Sequence, residues 1–500
     1  MTEVESAPLG RGYLRSAGLV AVARIAPLAV QLLVTPTVIA VAGVPSYAVW
    51  ALLTTTINLL LTADLGVVAI MLRYHGVARG RGDAALGARV TTTVLLVLGV
   101  LLVMVTLLGP FIADLALAVI RIDPSLTAEA RVVFTQAGTL AVLQLIGLAL
   151  GSYLAAFERF GQMAAMSLIA RAGGAAAILI ALFGGWGLVG LVGAAYVDAL
   201  LAVILGVIFC WSHLTRELRG WVHRAEAREL WGYAWRNQAS ALGFIVQRES
   251  DLILAAILLP AALQSEIASS AQLATAAALA PTVLLIPLFS RLSRLAGADP
   301  AGAVRSSRDA ETNWISFIAP FSAVVLVSLP LFASSWLGPA IHQSYEVSAL
   351  LVAGFLLVLL NSVRSTLVRS IGRPGLETWS FVAILAVKLA IGIPAALILG
   401  ALGLAASTIV ASLAGVVTLW LLSARRIPGL SAGALRRRPA LAAAVTLVVG
   451  SAVSLVVHFL AIDRWLTLGI SVGLALVLAA MSIAVVLPDG RDRRREQGLG

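Results

Sequence analysis

The 500-residue sequence is poor in the groups that build disulfides and metal sites. It contains one cysteine, Cys210, and five histidines, and no Cys/His grouping has metal-ligand spacing. A single cysteine excludes an intramolecular disulfide. Charged residues make up only 12% of the chain and aromatic residues 6%. We therefore expect no metal centre and no cofactor.

Hydrophobic residues are abundant. They make up 60% of the chain, against roughly 45–50% in soluble domains, and the mean hydropathy is +1.00. The isoelectric point near 10.8 does not indicate nucleic-acid binding, because the basic residues form short clusters between apolar segments. This pattern is typical of a polytopic membrane protein whose cations mark the cytoplasmic side.

About 20 apolar residues suffice for one helix to cross a bilayer. The first apolar run, from about Ala17 to Ala42, exceeds the roughly 7–15 residues of a signal-peptide core, so we expect a retained span. Fourteen helices are predicted in an all-α fold, at 18–42, 48–70, 91–112, 132–156, 163–184, 187–211, 232–259, 264–289, 312–336, 346–370, 377–399, 401–424, 439–461 and 465–487.

The cations between these spans predict the orientation. Nearly all of them lie on the side that carries both termini, and the opposite side has only Arg121, Arg131 and Arg464. The positive-inside rule therefore places both termini in the cytoplasm. We expect a multi-pass membrane protein.

A parallel internal repeat is predicted on two similarities between the halves. The segment 156–161 is similar to 370–375, and 187–190 is similar to 403–406. Two six-helix lobes in one orientation are typical of transporters whose site lies between the repeats. The predicted organisation is an N-lobe at 1–211, a linker at 212–231, a C-lobe at 232–424, a basic loop at 425–438, two further helices at 439–487 and a tail at 488–500.

Six cations fall inside predicted spans, where a bare guanidinium costs about 3–17 kcal/mol. A water-filled cationic cavity that binds a diphosphate would explain them, because phosphate oxygens prefer forked Arg donors. The hypothesis fails if each cation is locked against a carboxylate or extends to the headgroups. The latter alternative is open for Arg24, and an interfacial position is favoured for Arg364. The six residues are Arg24, Arg171, Arg236, Arg248, Arg364 and Lys388.

The seventh span carries a polar stripe, since its polar residues recur at three- or four-residue spacing and so share one helix face. Arg248 and Asp251 are three residues apart on it, and an ion pair that neutralises itself is the alternative to a binding role. The stripe consists of Asn237, Ser240, Phe244, Gln247, Arg248 and Asp251.

Other polar residues in the spans are candidates for counterions or for coupling to H⁺ or Na⁺. Pro27 and Pro36 allow the first span to bend around Gln31, as expected of a helix that lines a cavity. The remaining candidates are Asn58, Asp64, Asp198 and Glu249.

Three segments carry a family resemblance. The run 44–53 followed by Ala63-Asp64-Leu65-Gly66-Val67, the run 248–254, and Arg159 with Gly161 are together similar to Wzx-type polysaccharide flippases of the multidrug/oligosaccharidyl-lipid/polysaccharide (MOP) exporter superfamily. The segment 260–266 lacks that family's Gly-Tyr signature, and Leu252 replaces a common basic residue. Fourteen helices also suit the related lipid II flippases.

The resemblance implies two six-helix lobes around a V-shaped cavity, alternating access and a location in the bacterial inner membrane. It implies that cavity cations, here Arg24 and Arg248, bind the diphosphate of a polyprenyl-linked oligosaccharide, with Asp64 or Asp251 as the acidic partner. Membrane lipids and the glycosyltransferases or polymerase of the same pathway are the expected partners. A multidrug extruder, a membrane glycosyltransferase or polymerase, and a non-transporting scaffold are the alternatives.

Overall fold

The computed structural model describes residues 30–62, 83–157, 159–217, 247–282, 299–337, 344–373, 375–430 and 436–459, with isolated positions outside these ranges. Within them the chain is helical, and no strand occurs. The all-α fold predicted from the sequence is confirmed.

Twelve helices have bounds, and they are numbered α1 to α12. A shorter helix, Val30–Ala42, precedes them, and residues 247–258 are also helical. The twelve are α1 Val44–Thr62, α2 Ala84–Val119, α3 Thr127–Ala156, α4 Phe160–Phe183, α5 Gly187–Glu217, α6 Ala261–Thr282, α7 Pro300–Leu337, α8 Ser344–Val358, α9 Ser362–Ser370, α10 Gly375–Val387, α11 Ile393–Arg426 and α12 Arg437–Phe459.

Thirteen of the predicted spans overlap helix in the structure, and most of 465–487 lies outside the described residues. Eight helical segments of the described chain are long and apolar enough to cross a membrane. On α2, Leu107 is 75% and Phe111 is 70% exposed. Large apolar side chains on the outside of a long helix suit contact with lipid, so the chain is a multi-pass membrane protein.

Local sequence signals account for the helix boundaries. The Asp83 carboxylate accepts the backbone N–H of Leu86 at 2.9 Å and caps α2. Gly400 has φ +64° and ψ −137°, so α11 is broken there and the second arm begins at Ala401. A π-helical turn, Lys388–Gly392, joins α10 to α11. The predicted spans 377–399 and 401–424 therefore correspond to two helices separated at Gly400.

The chain divides into two compact units, Met1–Glu249 (unit 1) and Ser250–Gly500 (unit 2). Unit 1 has a core that includes Leu98, Tyr153 and Cys210, all at most 1% exposed. Unit 2 has one that includes Leu367 and Leu419, both fully buried. The lobe and linker boundaries taken from the sequence remain predictions.

Each unit has an arginine that precedes one helix and donates to a main-chain carbonyl of the following helix. In unit 1, Arg159 precedes α4 and its Nη1 donates to the carbonyl of Phe209 within α5, at 3.5 Å. In unit 2, Arg373 precedes α10 and its Nη1 donates to the carbonyl of Arg426 at the end of α11, at 2.6 Å. The arginines are those that the sequence comparison aligned, so the contact gives the predicted repeat a physical basis.

Candidate functional site

Four of the six predicted intramembrane cations lie in the described residues, and each contacts a carboxylate. The pairs have different burial, geometry and remaining hydrogen-bonding capacity, so they are considered separately. Arg24 and Arg236 lie outside the described residues, as do Asp64, Asn237, Ser240 and Phe244.

In unit 1, Arg171 on α4 pairs with Asp198 on α5, and Nη1 donates to Oδ2 at 2.9 Å. The Asp198 side chain is 11% and the Arg171 side chain 44% exposed. Gly174 makes this approach possible, because a Cβ there would lie 2.7 Å from the Cβ of Asp198. Nη1 of the guanidinium is bound by Asp198, and the other N–H groups of Arg171 bind no described residue.

Arg248 pairs with its neighbour Glu249 rather than with Asp251, so the alternative of an Arg248–Asp251 pair is wrong. Its Nε and Nη2 donate to Oε1 of Glu249 at 2.9 and 2.7 Å. Thr55 on α1 donates to the other carboxylate oxygen at 2.9 Å. Glu249 is thereby fixed from two sides, while the Arg248 side chain stays 21% exposed and Nη1 has no partner among the described residues.

Lys388 begins the π-helical turn of unit 2 and is 1% exposed. Its ammonium donates to Oδ1 of Asp251, to Oγ1 of Thr408, and at 3.3 Å to the carbonyl of Leu404. Thr408 in turn donates to Oδ1 of Asp251 at 2.8 Å. An ammonium group has three donors and no acceptor, so all three N–H bonds are used.

Arg364 lies on α9 and is 2% exposed. Its guanidinium is enclosed within unit 2, and its interfacial position stays a prediction. Nε and Nη2 donate to the two carboxylate oxygens of Glu311 on α7, and Nη1 donates to Oγ of Ser423 on α11 at 2.9 Å. The guanidinium carbon also lies 4.5 Å from the Trp420 ring centroid. The sequence missed Glu311 because it lies in a polar segment just before the predicted ninth span.

The uncharged candidates are dispersed. Gln31 is exposed, and its backbone carbonyl accepts from Thr35 at 2.8 Å. Asn58 is half-buried on α1, and Gln247 is 8% exposed. No described group of three or more His, Cys, Asp or Glu residues could hold a metal ion.

The described cations differ in how many N–H donors remain available to a ligand. Lys388 and Arg364 are buried and closed, and their charge is balanced inside unit 2. Arg171 and Arg248 are partly exposed and keep N–H donors, so they can bind an anion in addition to their carboxylates. Lys388 and Arg364 meet the condition under which the cationic-cavity hypothesis fails, since each is locked against a carboxylate. The hypothesis therefore depends on Arg171, Arg248, Arg24 and Arg236.

Of three comparisons with known proteins, only the one with solved structures places the fold. No family model matches the sequence, and no curated protein matches it. Among solved structures, an inward-facing multidrug resistance MATE family transporter of the MOP superfamily is 14% identical with a TM-score of 0.64, covering 82% of this chain and 98% of that chain. The lipid II flippase MurJ, inward closed, is 12% identical with a TM-score of 0.62, covering 93% and 97%.

A third match is the eukaryotic MATE transporter AtDTX14, at 18% identity and a TM-score of 0.59, covering 88% of this chain and all of that chain. At such identities the likeness concerns the fold alone. The chain therefore has the fold of the MOP superfamily transporters, with its pseudo-repeat of helices.

Proposed function

We propose that this protein is a transporter that moves a polyprenyl-diphosphate-linked oligosaccharide, a precursor of a cell-envelope polysaccharide, from the cytoplasmic to the outer leaflet by alternating access. The observation that carries the proposal is that Arg248 and Arg171 are each held by a carboxylate and still keep N–H donors. The fold alone does not select the substrate, because the lipid II flippase covers 93% of this chain and the two multidrug transporters cover 82% and 88%.

The unequal ion pairs support an anionic headgroup. A diphosphate needs several N–H donors held in a partly dehydrated place. Arg248 supplies a guanidinium whose position is fixed by Glu249, and Glu249 is itself held by Thr55. Arg171 supplies a second one, fixed by Asp198. In this proposal the carboxylates orient the guanidinium groups, and Arg24 and Arg236 add positive charge.

The proposal includes the bacterial inner membrane with both termini cytoplasmic, and pathway glycosyltransferases or the polymerase as partners. H⁺ and Na⁺ are the candidate coupling ions. The second candidate is a multidrug extruder, favoured by the TM-score of 0.64 to a MATE transporter and by carboxylates beside every described intramembrane cation. The two functions differ in the charge of the substrate, which an assay can separate.

The test is a leaflet-exchange assay with the purified full-length protein in liposomes, using a fluorescent polyprenyl-diphosphate saccharide and a membrane-impermeant quencher. We expect the protein to expose the probe to the quencher and Arg248→Gln to slow this by at least about tenfold, the loss of one charge-assisted contact of about 1.5–3 kcal/mol. Arg131→Gln is the matched control, because its pair with Asp114 is exposed.

The same assay can also reject the flippase proposal. If the wild-type liposomes exchange no diphosphate probe but accumulate a lipophilic cation, the flippase proposal is rejected in favour of the extruder. If Arg248→Gln is monodisperse and fully active, Arg248 does not bind the headgroup. Normal activity of Arg131→Gln is needed for either reading.

A further inference from the structure

The ammonium of Lys388 is enclosed by oxygen atoms from two other segments of unit 2. They are a carboxylate oxygen of Asp251, the hydroxyl of Thr408 and the main-chain carbonyl of Leu404. Carboxylate, hydroxyl and carbonyl oxygens are the donors that hard cations prefer in proteins. Lysine itself is almost never fully buried without a partner, so this degree of burial requires a specific arrangement.

The backbone around the lysine is shaped to bring these oxygens together. Lys388 starts a π-helical turn, a rare irregularity that is frequent at functional sites. At the end of the turn, Gly392 lies so close to the following helix that a Cβ there would be 2.9 Å from Oγ of Ser407. The widened turn and the close approach of Gly392 thus place Lys388 against residues 404–408 of α11.

The oxygen set exceeds what the ammonium uses. Oδ1 of Asp251 accepts hydrogen bonds from both Lys388 and Thr408. Oδ2 is buried and has no hydrogen-bond partner among the described residues. Asp251 as a whole is 1% exposed. A buried carboxylate oxygen without a partner is costly, and it provides a further ligand beside those already on the ammonium.

We propose that Asp251, Thr408 and Leu404 form a binding site for a monovalent cation, and that the Lys388 ammonium is its permanent, covalently tethered occupant. A compact charge with three donors can take the place of a small inorganic cation among hard oxygen ligands. Removing the ammonium should therefore expose a site for NH₄⁺, K⁺ or Na⁺. One consequence rests on the proposed transport function. If transport is coupled to a free cation, that cation does not need to bind at this place in unit 2.

The test measures binding through stability, so it does not depend on transport. Thermal unfolding of the purified full-length protein is followed in NH₄Cl, KCl and NaCl, each against choline chloride at equal ionic strength, because choline is too large for the site. We expect the wild type to unfold at the same midpoint in all four salts. We expect Lys388→Ala to gain a saturable rise of at least about 2 °C in one or more small cations.

Two further variants make the result decisive. Lys388→Ala with Asp251→Asn removes both charges, so it should fold in every salt and show no cation effect. Lys388→Ala with Thr408→Val should need a several-fold higher cation concentration for half of the rise. If Lys388→Ala folds only in a small-cation salt, the proposal is supported.

Three outcomes overturn it. One is a monodisperse Lys388→Ala protein with the same midpoint in all four salts. Another is failure of Lys388→Ala to fold in any salt while the double variant with Asp251→Asn folds, since the carboxylate would then attract no cation. The third is a saturable cation effect already present in the wild type and lost in Asp251→Asn. None of these results bears on leaflet exchange, so the transport proposal is judged separately.

Discussion

Glu311 and Arg364 illustrate how a charge survives inside unit 2. Their side chains are 1% and 3% exposed, and the guanidinium uses all three of its nitrogen positions on Glu311 and Ser423. Such a pair adds little net stability, because desolvation of the two ions offsets their attraction, but removing one partner leaves an uncompensated buried charge. The pair therefore fixes geometry more than it stabilises the fold.

This predicts an asymmetry between single and double substitutions. Arg364→Met should lower the free energy of unfolding by about 3–5 kcal/mol, whereas Arg364→Met combined with Glu311→Leu should restore most of it. Thermal unfolding of the purified variants in one detergent measures the difference. A double variant as unstable as the single one would contradict the prediction and point to the Trp420 and Ser423 contacts instead.

His75 is a second buried polar residue, outside the described membrane-spanning helices. It is 1% exposed, it lies 3.0 Å from the hydroxyl of Thr91, and its ring centroid is 4.8 Å from that of Tyr153. Burial lowers the pKa of His75 to about 4 from its ordinary value of 6.5. The folded protein thus holds a neutral imidazole.

The pH dependence follows from this lowered pKa. Between pH 6.5 and about 4 the unfolded chain takes up a proton that the folded chain excludes, so stability is full above pH 6.5 and falls as the pH drops through this window. His75→Gln retains a hydrogen-bonding group and should lose less stability between pH 7.5 and 5 than the wild type. If the unfolding midpoints of the wild type and of His75→Gln fall equally between pH 7.5 and 5, His75 does not contribute to the pH dependence of stability.

Single-residue roles were the least predictable from the sequence. Spacing along one helix suggested an Arg248–Asp251 pair, yet Asp251 meets a lysine 137 residues away and Arg248 meets its direct neighbour. Helical periodicity reports which residues share a face, not what packs against that face. Thr408 and Ser423 carried no signal, since hydroxyl residues are common in apolar helices and also bond to their own backbone.

Helices were far more predictable, because apolar length and flanking cations determine a membrane span almost alone. The interruptions within the helices were not predictable. No pattern of residues indicated the π-helical turn at Lys388 or the 3₁₀ turn Leu359–Asn361 inside the predicted tenth span. Such turns replace only a few hydrogen bonds, so they hardly change the composition of a span.

Gly400 offers a test of one interruption. Its φ of +64° with ψ of −137° is a conformation that residues with a Cβ rarely adopt. Gly400→Ala should therefore lower the free energy of unfolding by about 1–3 kcal/mol. Gly99 is the control, because it lies inside α2 and a Cβ added there would have no neighbouring atom within 4 Å.

The control should change in the opposite direction. Gly99→Ala should raise the stability by about 0.5–1 kcal/mol, because alanine loses less conformational freedom in a helix than glycine does. Thermal unfolding under identical conditions compares the two. An unchanged midpoint for Gly400→Ala would mean that the break between the arms of α11 tolerates a side chain.

For the molecule as a whole, the all-α membrane class followed from hydropathy and helix number, and the expected superfamily fold followed from the resemblance of three segments. The solved structures agree with both. The substrate does not follow in this way, because transporters with this fold and identities of 12–18% differ in what they carry. Substrate choice depends on a few side chains, and a hydropathy pattern averages over many. This is why the proposed function is tested through Arg248 rather than through the fold.

The single thiol of Cys210 lies in the core of unit 1 and is fully buried. Maleimide and methanethiosulfonate reagents react with accessible thiolates, so we expect the native chain to behave as a cysteine-free background. Spin labels or fluorophores can be attached to cysteines placed one on each unit without altering Cys210. Distances between such probes, recorded with and without the diphosphate probe, would test whether the two units move as the proposed alternating access requires.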